Sequence, residues 1–178
     1  MSVEEELQEE IEKVKDPFEK RVAGTMAILA AALAIVSVMG HLATTEEIVN
    51  QARASDQWAY YQAKSIRRYE SEIARDMFAM QSGKTAAVQP AKAAEYQKNS
   101  ERYTKEGEEI QKEAQALEEE SHAKGREAVR FEYAEVFFEV AIVLASLAIL
   151  TKLKPIWWSS IGGGLVGIVL AITAAMTK

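Results

Sequence analysis

The residues best suited to acid–base chemistry lie where polar sequence gives way to apolar sequence. Glu135 and Glu139 are four residues apart and therefore share one face of a helix, and Glu132 precedes them by about one turn. His41 stands near the end of another apolar stretch. Because histidine titrates near physiological pH, these four side chains suggest a proton- or cation-sensitive polar cluster.

Antiparallel pairing of two helices would bring this cluster together. With a turn near residue 86, Phe131 lies opposite His41, and Glu135 lies opposite Ser37. The alternative is that Glu135 and Glu139 lie in the lipid headgroup layer, or pair with Arg130 or with a neighbouring subunit. The residues alone leave both interpretations open.

No other arrangement of residues predicts catalysis or a cofactor. The chain has no cysteine and only two histidines, which excludes a cysteine nucleophile and a histidine-rich metal centre. Ser82–Thr85 reads SGKT, but a phosphate-binding loop needs a glycine five residues before Gly83, where Phe78 stands. The net charge of −6 argues against a nucleic-acid partner. We therefore predict a protein that is not an enzyme and that has no cofactor and no metal site.

Three apolar stretches must position these residues. They predict transmembrane helices at 22–42, 135–151 and 156–176, because about 20 apolar residues cross roughly 30 Å of hydrocarbon. Trp157 and Trp158 open the third stretch in the manner of interfacial anchors. The predicted fold class is an all-α membrane protein with three transmembrane helices, and its first partner is the lipid bilayer.

A long polar segment, 43–134, separates the first two spans. Thr44–Met80 contains no proline and no glycine, so we expect the helix of the first span to continue out of the membrane. Gly83 and Pro90 break the helical pattern and predict a turn at 81–90. The two arms then form an antiparallel extramembrane helical hairpin that is roughly 60 Å long.

Heptad-like spacing runs along both arms, with intervals that alternate between three and four residues and predict a coiled-coil-like pair. The first seam comprises Gly24, Ala27, Ala31, Ala34, Val38, His41, Thr45, Ile48, Ala52, Ser55, Ala59, Gln62, Ile66, Tyr69 and Ile73. The second comprises Tyr96, Ser100, Tyr103, Gly107, Ile110, Ala114, Leu117, Ser121, Lys124, Ala128, Phe131, Glu135, Phe138, Ile142, Ala145 and Ile149. Small residues let helix backbones approach closely, within one chain or between chains.

Aromatic and glycine residues add candidate contacts between subunits. Trp58, Tyr60 and Tyr61 cannot all face one seam, which predicts either a subunit contact or a packing cluster within the hairpin. Gly163 and Gly167 form a GxxxG pattern, expected to pack on the alanine face of the first span or on another subunit. The predicted oligomer contacts are Gly24, Ala27, Ala31, Ala34, Trp58, Tyr61, Gly163 and Gly167.

The N-terminal segment 1–16 is acidic. Val3, Leu7, Ile11 and Val14 recur on one face and predict a short amphipathic helix, and Pro17 is suited to the first turn of the next helix. We expect this short helix to lie at the membrane surface, with docking of a basic partner as the alternative.

Basic residues predict the topology. Lys20 and Arg21 precede the first span, and Lys152 and Lys154 separate the second from the third, so both regions are assigned to the cytoplasm. The N-terminus is then cytoplasmic and the hairpin periplasmic, in a bacterial inner (cytoplasmic) membrane.

The run Ala54–Ile66, ASDQWAYYQAKSI, follows the first span and its His41. Together with the three-span layout, it resembles a bacterial family of small membrane proteins catalogued as the domain of unknown function DUF4337. Typical members carry His-His after the first span, whereas this chain has His41-Leu42. The resemblance implies the fold and brings no activity, ligand or catalytic residue.

These observations favour a structural or scaffolding membrane protein that forms a homo-oligomer through its small-residue seams. The alternative is a subunit of an oligomeric channel or transporter, gated near His41 and Glu135. A third hypothesis is a sensor whose hairpin binds an envelope partner.

Overall fold

A computed structural model describes residues 17–80 and 89–176, and this part of the chain is helical except for Lys152-Leu153 and Met176. Helix α1 is Pro17–Met80, α2 is Gln89–Thr151 and α3 is Lys154–Ala175. The predicted helix at 1–16 and the SGKT run lie outside the described residues, as does most of the predicted turn at 81–90. Of that turn, Gln89 and Pro90 already belong to α2.

Each of the three helices contains a segment long and apolar enough to cross a membrane. Helix α1 begins at Pro17, where proline fits the first helical turn. It continues without interruption from its apolar segment into the polar sequence, as the absence of helix breakers predicted. A two-residue connection, Lys152-Leu153, joins α2 to α3, and Lys152 adopts a positive φ of 54°.

The residues form two compact units. The first, which we call the apolar unit, comprises the described residues 17–45 and 123–176. The second, the polar unit, is Glu46–His122.

Three helix segments pack together in the apolar unit. Leu29 and Val36 of α1 share a core with Phe131 and Phe138 of α2 and Ala174 of α3. A second cluster, around Val22, Ala145 and Ala148, includes Phe18 and Trp157 at the other end of the unit. The sequence order of these contacts shows that α1 and α2 run antiparallel, as do α2 and α3.

The polar unit is an antiparallel pair formed by the second half of α1 and the first half of α2. The rings of Phe78 and Tyr96 stack with centroids 5.6 Å apart. At the opposite end, the Ser121 hydroxyl donates a hydrogen bond of 3.1 Å to the Glu47 carbonyl oxygen. These contacts give the arms the hairpin arrangement expected from the sequence.

Candidate functional site

The four residues of the predicted polar cluster all lie in the apolar unit. His41, Glu132 and Glu139 are exposed, and Glu135 is half-buried. Within the described ranges, no hydrogen bond or ion pair joins the histidine to a glutamate, and no group of three acidic or histidine side chains could hold a metal. The arrangement therefore supports neither a proton relay nor a metal centre.

The pairing register around His41 differs from the prediction by one residue. A Cβ atom built on Gly40 would lie only 3.1 Å from the Phe131 Cβ, so Phe131 packs against Gly40 rather than opposite His41. Glycine allows this close approach because it has no side chain. Arg130 donates to the Thr173 carbonyl oxygen at 3.4 Å and thereby contacts the C-terminal part of α3.

Glu139 lies level with the middle of α3. The ring of its neighbour Phe138 lies against Gly167, and Ala141 lies against Gly163. Since α3 runs from Lys154 to Ala175, these glycines flank its midpoint. Glu139 therefore stands beside the centre of α3, although the sequence placed it where the second span begins.

The glycines of α3 pack within the chain. Gly167 is buried against the Phe138 ring of α2, and Gly164 is buried against Leu29 of α1. Gly163 is half-buried beside Ala141 of α2. The GxxxG pattern thus marks a helix-packing face, as predicted, but its partner is mainly α2 and not the alanine face of the first span. The physical reason is that the bulky Phe138 ring requires the space that glycine leaves.

Aromatic residues cover the end of the apolar unit that lies beside the α2–α3 connection. The Trp157 indole Nε1 donates a 3.1 Å hydrogen bond to the Thr25 hydroxyl, and its ring meets Phe18 edge-on, with centroids 5.8 Å apart. Lys152 Nζ lies 3.5 Å from a carboxylate oxygen of Glu19. Tryptophan and basic residues at one end of apolar helices are typical of a membrane–water interface.

The second predicted seam is confirmed as the packing face of α2. Of its members, those that are buried are Ser100, Gly107, Ile110, Ala114, Ser121, Ala128, Phe131, Phe138 and Ala145. The rest are half-buried.

The first predicted seam does not pack against α2 within the chain, and its contact with a second chain stays a prediction. Its members on α1, from Gly24 to Ile73, are exposed. A different heptad series on α1 is buried or half-buried throughout the polar unit: Glu47, Asn50, Ala54, Gln57, Tyr61, Lys64, Arg68, Ser71, Arg75 and Phe78. Most of these inward positions are polar or charged, so the spacing of apolar and small residues does not predict them.

The outward face of α1 in the polar unit is correspondingly apolar. We call it the outer stripe: Ile48, Ala52, Ser55, Ala59, Gln62, Ile66, Tyr69, Ile73, Met77 and Met80. Ile66 and Ile73 are 59% and 61% exposed, and Met80 is 82% exposed. In the described part of the polar unit, every exposed large hydrophobic residue belongs to α1 and none to α2. In the polar unit, α1 therefore exposes its large apolar residues, whereas an ordinary amphipathic helix turns its apolar side toward its own core. We call this arrangement the inversion of α1.

Polar contacts hold the inward face of α1 to α2. Lys64 Nζ donates to a Glu106 carboxylate oxygen at 2.5 Å and lies 5.6 Å from the Tyr103 ring centroid. The hydrogen bond from Lys64 lowers the pKa of Glu106, and the same bond raises the pKa of Lys64. Further along the pair, Arg75 donates to the Gln97 side-chain oxygen at 2.7 Å.

The aromatic residues at 58–61 pack mainly within the hairpin. Trp58 and Tyr61 meet edge-on with ring centroids 5.8 Å apart, and the Tyr61 ring lies beside Gly107 of α2. Tyr60 is 50% exposed, and its ring centroid is 5.2 Å from Lys64 Nζ. The sequence predicted either a subunit contact or a packing cluster within the hairpin, and the contacts described here belong to the packing cluster.

Comparison with known families accounts for nearly the whole chain. A family model described as "Domain of unknown function (DUF4337)" matches residues 18–177. The chain belongs to the DUF4337 family. No curated protein and no solved structure matches it. The DUF4337 match covers both units and all three helices. The outer stripe of α1 and Glu139 therefore lie inside the family domain.

Proposed function

We propose that this DUF4337 protein is an integral membrane protein with a structural, non-catalytic role, and that it forms a homo-oligomer through the outer stripe of α1. The observation that carries the proposal is the inversion of α1. Lys64 and Arg75 bond to α2 of the same chain, whereas the isoleucines and methionines of this arm are exposed. Contiguous apolar surface of this kind on a water-exposed arm marks a protein–protein contact.

A second copy of the chain fits the outer stripe in length and area. From Ile48 to Met80 the stripe extends about 48 Å at 1.5 Å per residue, and a helix face is about 10 Å wide. Each copy would bury about 500 Å², or about 1,000 Å² for the pair, which is the lower limit for a biological interface. Burying Ile66 and Ile73 would each contribute about 1 kcal/mol, because each is now more than half exposed.

The heptad period of the outer stripe also suits self-association. Identical helices with apolar residues every 3.5 positions pack side by side as coiled coils. In the apolar unit, the exposed Gly24, Ala27, Ala31 and Ala34 continue this spacing along α1 and would allow close approach of two helices in lipid.

The proposed location is a bacterial inner membrane, with the N-terminus in the cytoplasm and the polar unit on the periplasmic side. Lys152 and Lys154 are exposed at the α2–α3 connection, beside Trp157, and support a cytoplasmic interface there. The channel alternative gains no comparable support, because His41 and Glu135 make no contact with each other in the described residues.

The test is the mass of the full-length protein in detergent, measured by native mass spectrometry. We expect an oligomer for the wild type and a species of fewer subunits for the double variant Ile66→Glu, Ile73→Glu. Both side chains are exposed in the single chain, so the helices should form normally, as circular dichroism would verify. The control is Gln115→Glu, Ala116→Glu, which adds the same charge to the exposed face of α2 and should leave the oligomer intact. A monomeric wild type would refute the proposal.

A further inference from the structure

Glu139 occupies an unusual position for a carboxyl group. It stands level with Gly163–Gly167 at the middle of α3 and is exposed on the surface of the apolar unit. Counting along α3 at 1.5 Å per residue, this level is about 12 Å from Trp157 and about 15 Å from Ala175. In the proposed membrane protein, that depth is the interior of the hydrocarbon layer.

No basic residue of the chain can neutralise Glu139 at this depth. Val22–Gly40 of α1 and Ile156–Ala175 of α3 contain no charged residue, and Glu139 is the only one in Val136–Leu150 of α2. Ionisable side chains within membrane spans are costly, and they almost always face other protein or a water-filled cavity. The described part of the chain leaves Glu139 exposed, and a contact with another chain would cover it.

The surroundings of Glu139 on α2 form a regular face. Ser146 follows it by seven residues, and the exposed Val136 and Val143 flank it at 53% and 57% exposure. Glu132 precedes it by seven residues at the end of the apolar unit. A seven-residue repeat keeps one helix face in contact with a partner helix over several turns.

We propose that this face, centred on Glu139, is a second contact between two copies of the chain, and that it lies inside the membrane. The inference rests on the proposed membrane-embedded homo-oligomer. In a twofold pair whose axis is normal to the membrane, equal heptad positions meet, so Glu139 faces Glu139 of the second copy and Ser146 faces Ser146 of the second copy. Two carboxyl groups that share a proton form a hydrogen bond, and such bonds between helices stabilise association in lipid.

Cysteine crosslinking tests the contact directly, because the natural chain contains no cysteine. In full-length protein in native membranes, oxidation of Ser146→Cys with copper phenanthroline should give a disulfide-linked dimer. Ser159→Cys is the matched control. Both serines are exposed, lie at a similar level of the apolar unit and donate to their own helix backbone, Ser146 to the Val143 carbonyl oxygen and Ser159 to that of Pro155. We expect no dimer from the control.

Substitution of Glu139 in the Ser146→Cys background then tests the carboxyl itself. Glu139→Leu removes the polar group and should weaken association about threefold to thirtyfold, seen as slower crosslinking. Glu139→Gln retains hydrogen bonding between the copies and should crosslink at close to the rate of its parent.

The outcomes separate this inference from the proposed function. Equal crosslinking of Ser146→Cys and Ser159→Cys, or no crosslinking of Ser146→Cys in a protein that is oligomeric by mass, overturns the Glu139 contact alone. Unchanged crosslinking of Glu139→Leu also overturns it. A wild type that is monomeric by mass refutes the proposed oligomer and this contact together.

Discussion

The four glycines of α3 provide a graded test of helix packing in the apolar unit. Replacing each in turn by alanine adds one Cβ atom to the same helix. A Cβ on Gly162 would meet nothing within 4 Å, whereas one on Gly163 would meet the Ala141 Cβ at an ordinary 3.5 Å. One on Gly164 would lie 2.4 Å from a methyl group of Leu29. One on Gly167 would lie 3.1–3.2 Å from three ring atoms of Phe138.

The expected energies follow from two opposing terms. Alanine stabilises a helix interior by about 0.5–1 kcal/mol relative to glycine. Overpacking costs about 1–3 kcal/mol where the neighbour cannot move. Phe138 is only 1% exposed and is held on all sides, so we expect Gly167→Ala to destabilise the protein by about 1 kcal/mol. Gly162→Ala and Gly163→Ala should stabilise it by about 0.5–1 kcal/mol.

Gly164→Ala should fall between these values, because the end of the Leu29 side chain can rotate away. The measurement is the free energy of unfolding of the four variants in one detergent, from denaturant titration followed by circular dichroism. If Gly167→Ala proved as stable as Gly162→Ala, the described packing of Phe138 on α3 would be wrong.

Two further predictions concern polar groups. Hydrogen bonding to Lys64 lowers the pKa of Glu106 below its ordinary 4.5. The stability that this bond contributes is therefore present above pH 4.5 and is lost as the pH falls through the lowered pKa. Glu106→Gln should therefore make the polar unit less acid-sensitive by hydrogen exchange between pH 3 and 6, and an unchanged profile would contradict the pairing. Ser160→Ala should be neutral or stabilising by up to about 1 kcal/mol, because the Ser160 hydroxyl is fully buried and has no hydrogen-bond partner among the described residues. The control Ser121→Ala loses the bond to the Glu47 carbonyl oxygen and should cost about 1 kcal/mol, so equal unfolding energies for the two variants would be evidence against this difference.

The three helices and the packing face of α2 could be predicted from sequence because the relevant signals agree. Along α2, small or apolar residues such as Ala114, Ala128 and Phe138 recur at heptad spacing, and the chain buries them. On α1 the same spacing marks a face that does not pack against α2 within the chain. In its apolar segment all sides are apolar, so the pattern sets no preferred side.

In the polar arm of α1, the rule that helices pack through their apolar faces failed for a second reason. It assigns apolar residues to the contact within the chain, whereas this contact is made by Lys64, Arg75 and their polar partners on α2. The signal was present in the sequence, because polar residues also recur at intervals of three and four. Distinguishing the two faces required the position of the second arm.

The position of Glu139 relative to the middle of α3 could not be predicted from composition alone. Arg130 and Glu132 make the start of the apolar segment of α2 look polar, so the span was placed from 135 onward. Only the contacts of Phe138 and Ala141 with the glycines of α3 show that Glu139 stands beside the middle of that helix.

The two-residue connection between α2 and α3 has a consequence for biosynthesis. With only Lys152 and Leu153 outside the helices, and with Lys152 in the left-handed region, the chain reverses direction within a single tight turn. In the proposed membrane topology, the apolar segments of α2 and α3 cannot enter the bilayer as separate events, since neither can move far from the other. We expect the two segments to cross the bilayer together as a helical hairpin.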